Sequence, residues 1–262
     1  MHWIWLGLLG VAIGAMGTLI GAGGGFVLMP ILVLLYPEDT PETLASISLA
    51  VVFLNALSGS YGYARQKLVD FRAGKLFMAA GIPGAVAGSF VTSTLPRTVF
   101  DVCLGSTLVV IAGFILVTGA LRPQHVHAGA TDHAARGREF AIKGVAISFV
   151  VGFVSTLLGI GGGIIHVPAM VYALHFPVHA AAATSHFVLA GTALAGTLTH
   201  VATGAFKHGV YRTIALGIGA MAGAQAGAHF AKRTPPGWIL RGLAVALGVV
   251  GVRVVVLALT RN

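Results

Sequence analysis

Two stretches decide how this chain folds: GAGGGFVLMP at residues 21–30 and GIGGGIIHVP at residues 159–168. Each sits inside an apolar run of about 34 residues, whereas one membrane crossing takes about 20. Glycine lets the backbone leave helical geometry, and proline removes a helix hydrogen bond. Each run is therefore predicted to divide into a helix and a shorter second piece, with Pro30 and Pro168 as part of the helix break. The stretches are also copies. At an offset of 138, Gly14, Thr18, Leu19, Gly21, Gly23, Gly24, Gly25 and Pro30 coincide with Gly152, Thr156, Leu157, Gly159, Gly161, Gly162, Gly163 and Pro168. These identities far exceed the roughly one or two that composition would give over so short a segment.

Outward from these stretches the chain remains apolar. Hydrophobic residues make up 56% of the 262 and charged residues only 9%, against roughly 25% charged in a soluble domain. Charge that sparse cannot cover a surface in water, so the solvent is lipid. Further apolar runs at 44 to 64, 76 to 95, 98 to 120, 181 to 206, 211 to 231 and 238 to 259 must be helices, because backbone groups in lipid are bonded internally. The predicted fold is an all-α polytopic membrane protein with about 8 to 10 membrane helical segments. It is divided into a first repeat (1–120), a cytoplasmic linker (121–140) and a second repeat (141–262). Cys103 is the only cysteine, which excludes a disulfide scaffold.

The net charge of +9 does not point to nucleic acid, because the cations cluster in short loops between apolar runs. Arg65, Lys67, Arg72 and Lys75 crowd one loop, and Arg122, Arg136, Arg138 and Lys143 another, while Glu38, Asp39 and Glu42 share a third. The two basic loops are expected in the cytoplasm. Lys207 with Arg212, and Lys232 with Arg233, stand at opposite ends of one span and compete. The repeats are inverted if the two long runs cross twice or not at all, and parallel if each crosses once. Inversion is favoured, since transporters with broken helices often use it.

The predicted site lies at the breaks. A half-helix starting after a glycine cluster presents free N–H groups and a partial positive charge, which bind oxyanions without any cationic side chain. Gly21, Gly23, Gly24 and Gly25, with Gly159, Gly161, Gly162 and Gly163, are the expected substrate-binding backbone. Ser46 and Ser48 occupy the place in the first half that Thr184, Ser185 and His186 occupy in the second, and Asn55 lies deeper; their side chains are expected to complete the site. The competing explanations are close packing through small residues for the glycines and bonding to the helix's own carbonyls for each hydroxyl. Duplication of the clusters favours the site. All seven acids lie in the first 139 residues, none centred in a span, which favours an anionic over a cationic cargo. His166 and His200 are the candidates for proton coupling, since imidazole titrates near about 6.5. No His-x-x-x-His or Cys–His spacing forms a metal site. A metal-ion transporter using membrane histidines and an integral-membrane enzyme are the alternatives; for the enzyme no nucleophile and base assemble.

These residues resemble the sulfite exporter TauE/SafE family of membrane permeases. The likeness rests on both glycine stretches, on AATSHF with Thr184 and Ser185, on the basic loop before Val69-Asp70-Phe71, and on GIPGAVAG with GAMAGAQAG. It covers nearly the whole chain except the His-bearing linker. It implies a multi-pass permease of the bacterial inner membrane for sulfite or small organosulfonates, with no cofactor; alternating access by rocking of the two repeats around the glycine breaks is the expected mechanism. The expected partners are a small anionic substrate and the lipid bilayer, with no nucleic acid, and a homo-oligomer is compatible with them. Where the family often has a Thr-Ser pair in the first half, this chain has Ser46-Ile47-Ser48.

Overall fold

The computed structural model describes residues 2–121, 137–231 and 236–260. Within them the chain is all helical, in the order α1 (His2–Ile20), α2 (Gly25–Leu35), α3 (Pro41–Arg65), α4 (Phe71–Thr94), α5 (Arg97–Leu121), α6 (Arg138–Leu157), α7 (Gly163–Ala173), α8 (Val178–Ala202), α9 (Val210–Phe230) and α10 (Pro236–Thr260). A single 3-10 turn, Ala205–His208, precedes α9. Six helices, α1, α3, α4, α5, α6 and α8, are long and apolar enough to cross a membrane. The protein is thus a polytopic membrane protein. Most of the linker, residues 122–136, lies outside the described residues, as do Lys232 and Arg233.

Both long apolar runs break at their glycines, giving a helix of 19 or 20 residues followed by one of 11. One expectation needs correcting. Pro30 and Pro168 do not break the helices but sit inside α2 and α7, which run on through them. Each is six residues into its helix, where the missing N–H forfeits one bond to the carbonyl four residues back and leaves the rest of the ladder intact. The turn itself is made by Gly24, with φ of 79°, and Gly162, with φ of 54°. That left-handed region costs other L-residues roughly 1–2 kcal/mol.

The chain reverses at each break. Trp3 at the start of α1 packs edge-on to Tyr211 of α9 at 5.7 Å, and Tyr36 just after α2 lies under the Arg212 guanidinium at 3.7 Å. The entry of α1 and the exit of α2 therefore share one side of the molecule. The second half repeats the arrangement on the other side. Phe140 near the start of α6 and Phe176 after α7 stack at 5.9 Å, and both pack against Phe77 of α4. Each pair is a re-entrant hairpin whose glycine turn lies deep in the bundle.

Around the hairpins the helices pair in a reciprocal way. Helix α1 lies on α9 and α6 lies on α4, each closely enough that a methyl on glycine would overlap the neighbouring backbone: at Gly14 it would meet Ala220, and at Gly84 it would meet Phe149. Small residues let helices approach this closely in lipid, where van der Waals contact replaces hydrophobic burial as the associating force. Central helices α3 and α8 run antiparallel, with Gly59 against His186 and Gly196 against Leu49. Helices α5 and α10 also run antiparallel, Gly105 meeting Val255 and Gly248 meeting Ala112.

One side of the molecule carries Glu38, Asp39 and Glu42, and Asp39 and Glu42 are tied to neighbouring segments. Arg97 donates to the Asp101 carboxylate at 2.9 Å and to the Asp39 carbonyl, and Arg212 pairs with the Asp39 carboxylate. The turn joining α3 to α4, with Arg65, Lys67, Arg72 and Lys75, lies at the other end of α3. The first is the acidic face of the molecule and the second its basic face. Arg212, at the start of α9, therefore stands on the acidic face.

Candidate functional site

The two glycine turns meet at the centre of the bundle. A methyl on Gly25 would lie 2.6 Å from the Ile160 carbonyl oxygen, one on Gly163 would lie 2.6 Å from Ala22 Cα, and Val52 of α3 would be close to methyls on both Gly25 and Gly161. All the glycines of both clusters are buried. The turns satisfy part of their own backbone: Ala22 and Gly23 donate to the Gly17 carbonyl, and Ile160 donates to that of Ser155 at 3.0 Å. The carbonyls ending α1 and α6 are held by side chains. Tyr63 of α3 donates its hydroxyl to the Thr18 carbonyl, and Thr92 of α4 donates to the Leu157 carbonyl at 2.9 Å.

What remains are amides at the starts of the two short helices. Among the described residues, no backbone carbonyl accepts from the amides of Gly24, Gly25 and Phe26, nor from those of Gly161, Gly162 and Ile164. Such groups carry the positive end of the helix dipole, and burial without a partner is costly for them. They face a seam of apolar contacts on one side.

On the other side of the second turn is a small cavity of about 10 Å³, room for roughly one water, whose lining is mostly apolar surface with a few hydroxyls and one imidazole. Its lining includes Ser148, Gly152 and Ser155 of α6, Gly162, Gly163 and His166 at the start of α7, and Ser185 and Thr192 of α8. Ser148 Oγ and His166 Nε2 are hydrogen-bonded at 3.1 Å. Ser185 is 1% exposed and its hydroxyl has no partner. The lining holds no Lys, Arg, Asp or Glu.

The three consecutive residues of α8 named from the sequence go three ways, as a turn of about 100° per residue dictates. Thr184 Oγ1 accepts the Asp70 amide at 3.0 Å, anchoring the turn before α4. Ser185 lines the cavity. His186 turns to the first half, where its Nε2 lies 3.2 Å from Thr18 Oγ1, and that hydroxyl also reaches Asn55 Oδ1 at 3.2 Å. Asn55 Nδ2 and His186 Nδ1 are buried and unpartnered, so a second polar cluster sits beside the first turn.

The other predicted residues divide between those at the cavity and those bonded elsewhere in the fold. Ser46 donates to the Thr43 carbonyl of its own helix at 2.7 Å, and Ser48 donates to the Gly159 carbonyl at 2.5 Å, fastening α3 to the second turn. His166 is at the cavity, but His200 is not; it is buried near the acidic face, with Nδ1 3.7 Å from Glu42 Oε1. Arg253 is exposed on α10. Sequence reading missed Ser148 and Ser155 as lining residues; Thr192, a hydroxyl inside a span and so able to donate to an oxyanion, also lines the cavity. A signal existed: Ser148 and Ser155 on α6, and Ser185 and Thr192 on α8, are each seven apart, two turns along one helix face. Among the described residues there is no group of three or more His, Cys, Asp or Glu able to hold a metal ion.

Comparison with known proteins finds membrane-transporter relatives along nearly the whole chain. The family model described as Sulfite exporter TauE/SafE matches residues 6–254. The probable membrane transporter protein YunE of Bacillus subtilis is 30% identical, covering 97% of this chain and 98% of that protein. The probable membrane transporter protein MJ0441 of Methanocaldococcus jannaschii is 26% identical over 74% of this chain and 70% of its own. No solved structure matches the chain.

Proposed function

This chain belongs to the sulfite exporter TauE/SafE family and is a membrane transporter; we propose that it is a permease for a small anion, sulfite or an organosulfonate. Transport is by alternating access, with the glycine turns as the backbone part of the midplane site and the two halves as inverted repeats. It performs no catalysis and operates in the cell inner membrane with the basic face in the cytoplasm.

The observation that carries this reading is the pair of buried turns presenting unbonded amides, Gly24 to Phe26 and Gly161 with Gly162 and Ile164, in a core without charged side chains beside them. Six N–H dipoles attract negative charge and repel cations. The inverted arrangement is supported by the antiparallel course of α3 with α8 and of α5 with α10, because helices equivalent at the offset of 138 would run parallel in a parallel repeat. It is supported again by both hairpins returning to the side they enter, which makes no net crossing.

The test is uptake of labelled sulfite, and separately of methanesulfonate, into proteoliposomes of purified protein. Uptake that saturates and exceeds that of empty vesicles is expected. Replacing Gly162 with Leu should abolish it while membrane insertion persists, because Ser155 Cβ lies 2.8 Å from where a Cβ would stand. Equal leakage with and without protein for both anions would refute the permease reading.

A further inference from the structure

The two halves are unequal where they meet. The first turn has no serine or histidine at the positions equivalent to Ser148, Ser155, His166 and Ser185; at the offset of 138 these are Gly10, Gly17, Leu28 and Ile47. The cavity lies beside the second turn, where hydroxyls from two helices, seven residues apart on each, line it together with Gly162, whose amide no backbone carbonyl accepts. Ser185 Oγ is fully buried with its proton unclaimed. The Thr192 hydroxyl holds its own helix only through two bonds of 3.3 Å, at the long limit for a hydroxyl donor, so it can turn toward a ligand.

Resting on the permease reading, we propose that the cargo is bound on the second half alone, by Ser148, Ser155, Ser185 and Thr192 with the amide of Gly162, as a compact oxyanion that carries no positive group. A buried hydroxyl with no acceptor gains most from an anionic oxygen, since hydrogen bonds to charged partners are the stronger kind. The lining also includes Val151, Val188 and Leu189, which offer nothing to an ammonium. An aminosulfonate would have to bury its cation with no carboxylate in the lining, the arrangement that costs most. His166 positions Ser148: when Nε2–H donates to Ser148 Oγ, the serine proton is left for the anion. The first-half cluster of Thr18, Asn55 and His186 is not a cargo site in this assignment.

Labelled sulfite uptake into proteoliposomes, with methanesulfonate and taurine as competitors, tests it. Methanesulfonate should compete and taurine should not. Ser185→Ala should raise the half-saturation concentration for sulfite by about tenfold or more, the loss expected when one hydrogen bond to a charge is removed. Ser148→Ala and Ser155→Ala should weaken it in the same direction. Thr197→Val, whose hydroxyl is bound to the Ala193 carbonyl at 2.7 Å, should leave it within about twofold. Two results overturn the assignment while leaving the permease intact: half-saturation unchanged in Ser148→Ala, Ser155→Ala and Ser185→Ala, or taurine competing as well as methanesulfonate. Absence of saturable uptake in the unmutated protein overturns the permease reading, and the site with it.

Discussion

A methyl group added at Gly162 and one added at Gly113 should move stability in opposite directions. Gly162 has φ of 54°, and a Cβ there would lie 2.8 Å from Ser155 Cβ. Gly162→Ala incurs the left-handed penalty of roughly 1–2 kcal/mol plus the cost of overlap, and it distorts the amides at the turn. Gly113 lies on the exposed side of α5 with nothing within 4 Å of an added Cβ. Alanine there gains about 0.8 to 1 kcal/mol of helix propensity. Thermal unfolding in detergent should show a lower midpoint for Gly162→Ala and a higher one for Gly113→Ala, with anion uptake lost only in the first. A Gly162→Ala protein as stable as the parent would mean the turn does not depend on a left-handed residue. Tyr63→Phe is a milder probe. Its hydroxyl holds the Thr18 carbonyl at the end of α1, and losing a buried bond of this kind costs about 1–2 kcal/mol; the same melting curves should show the drop.

At the scale of helices, the hairpins are the feature that sets topology. Glu38 follows α2 on the acidic face, whereas His175 follows α7 and Arg72 begins α4 on the basic face. Cys103 is the sole native thiol, so Cys103→Ala gives a background for single cysteines at positions 38, 72 and 175. A membrane-impermeant maleimide added to whole cells should label position 38 and spare 72 and 175, because lysines and arginines favour the cytoplasm. If 38 and 175 label from the same side, α7 does not return and the halves are not inverted. Most of this level was legible in the sequence. The glycine offset gave the positions of both breaks, and α2 and α7 each span the same 11 residues after it. What could not be read was that each run folds back, since residues 3 to 36 are equally apolar whether a second helix continues or reverses. Nor could side-chain direction be read. Thr184, Ser185 and His186 are adjacent in sequence yet belong to an anchor, a cavity and a second cluster, and Ser46 and Ser48 resemble ligands while being spent on carbonyls. Those outcomes depend on helix rotation, which the composition of small, weakly amphipathic helices does not fix.

At the scale of the whole molecule, the reciprocal packing of α1 on α9 and α6 on α4 ties each hairpin to a helix of the other half, so movement of one half must carry the opposite hairpin with it. The cavity holds about one water, less than any oxyanion needs, so an anion can bind there only if the site widens. Opening toward the acidic face requires contacts across its mouth to part. Arg212 of α9 is the centre of these contacts, paired with the Asp39 carboxylate and stacked 3.7 Å over Tyr36 beyond α2. The pair is partly exposed, 29% and 24% by side chain, and such a pair is worth no more than about 1 kcal/mol. Removing it should therefore shift the balance toward the open form by about fivefold, not abolish closure. In a Cys103→Ala background with Ser185→Cys as reporter, Arg212→Gln should raise the rate of labelling by an impermeant thiol reagent from the acidic side by about that factor, with little change from the basic side. An unchanged rate would mean that Arg212 only fastens α2 to α9, and that the acidic mouth opens elsewhere, with the contact between Glu42 and Thr203, 2.6 Å apart where α3 begins and α8 has ended, as the next bond to cut.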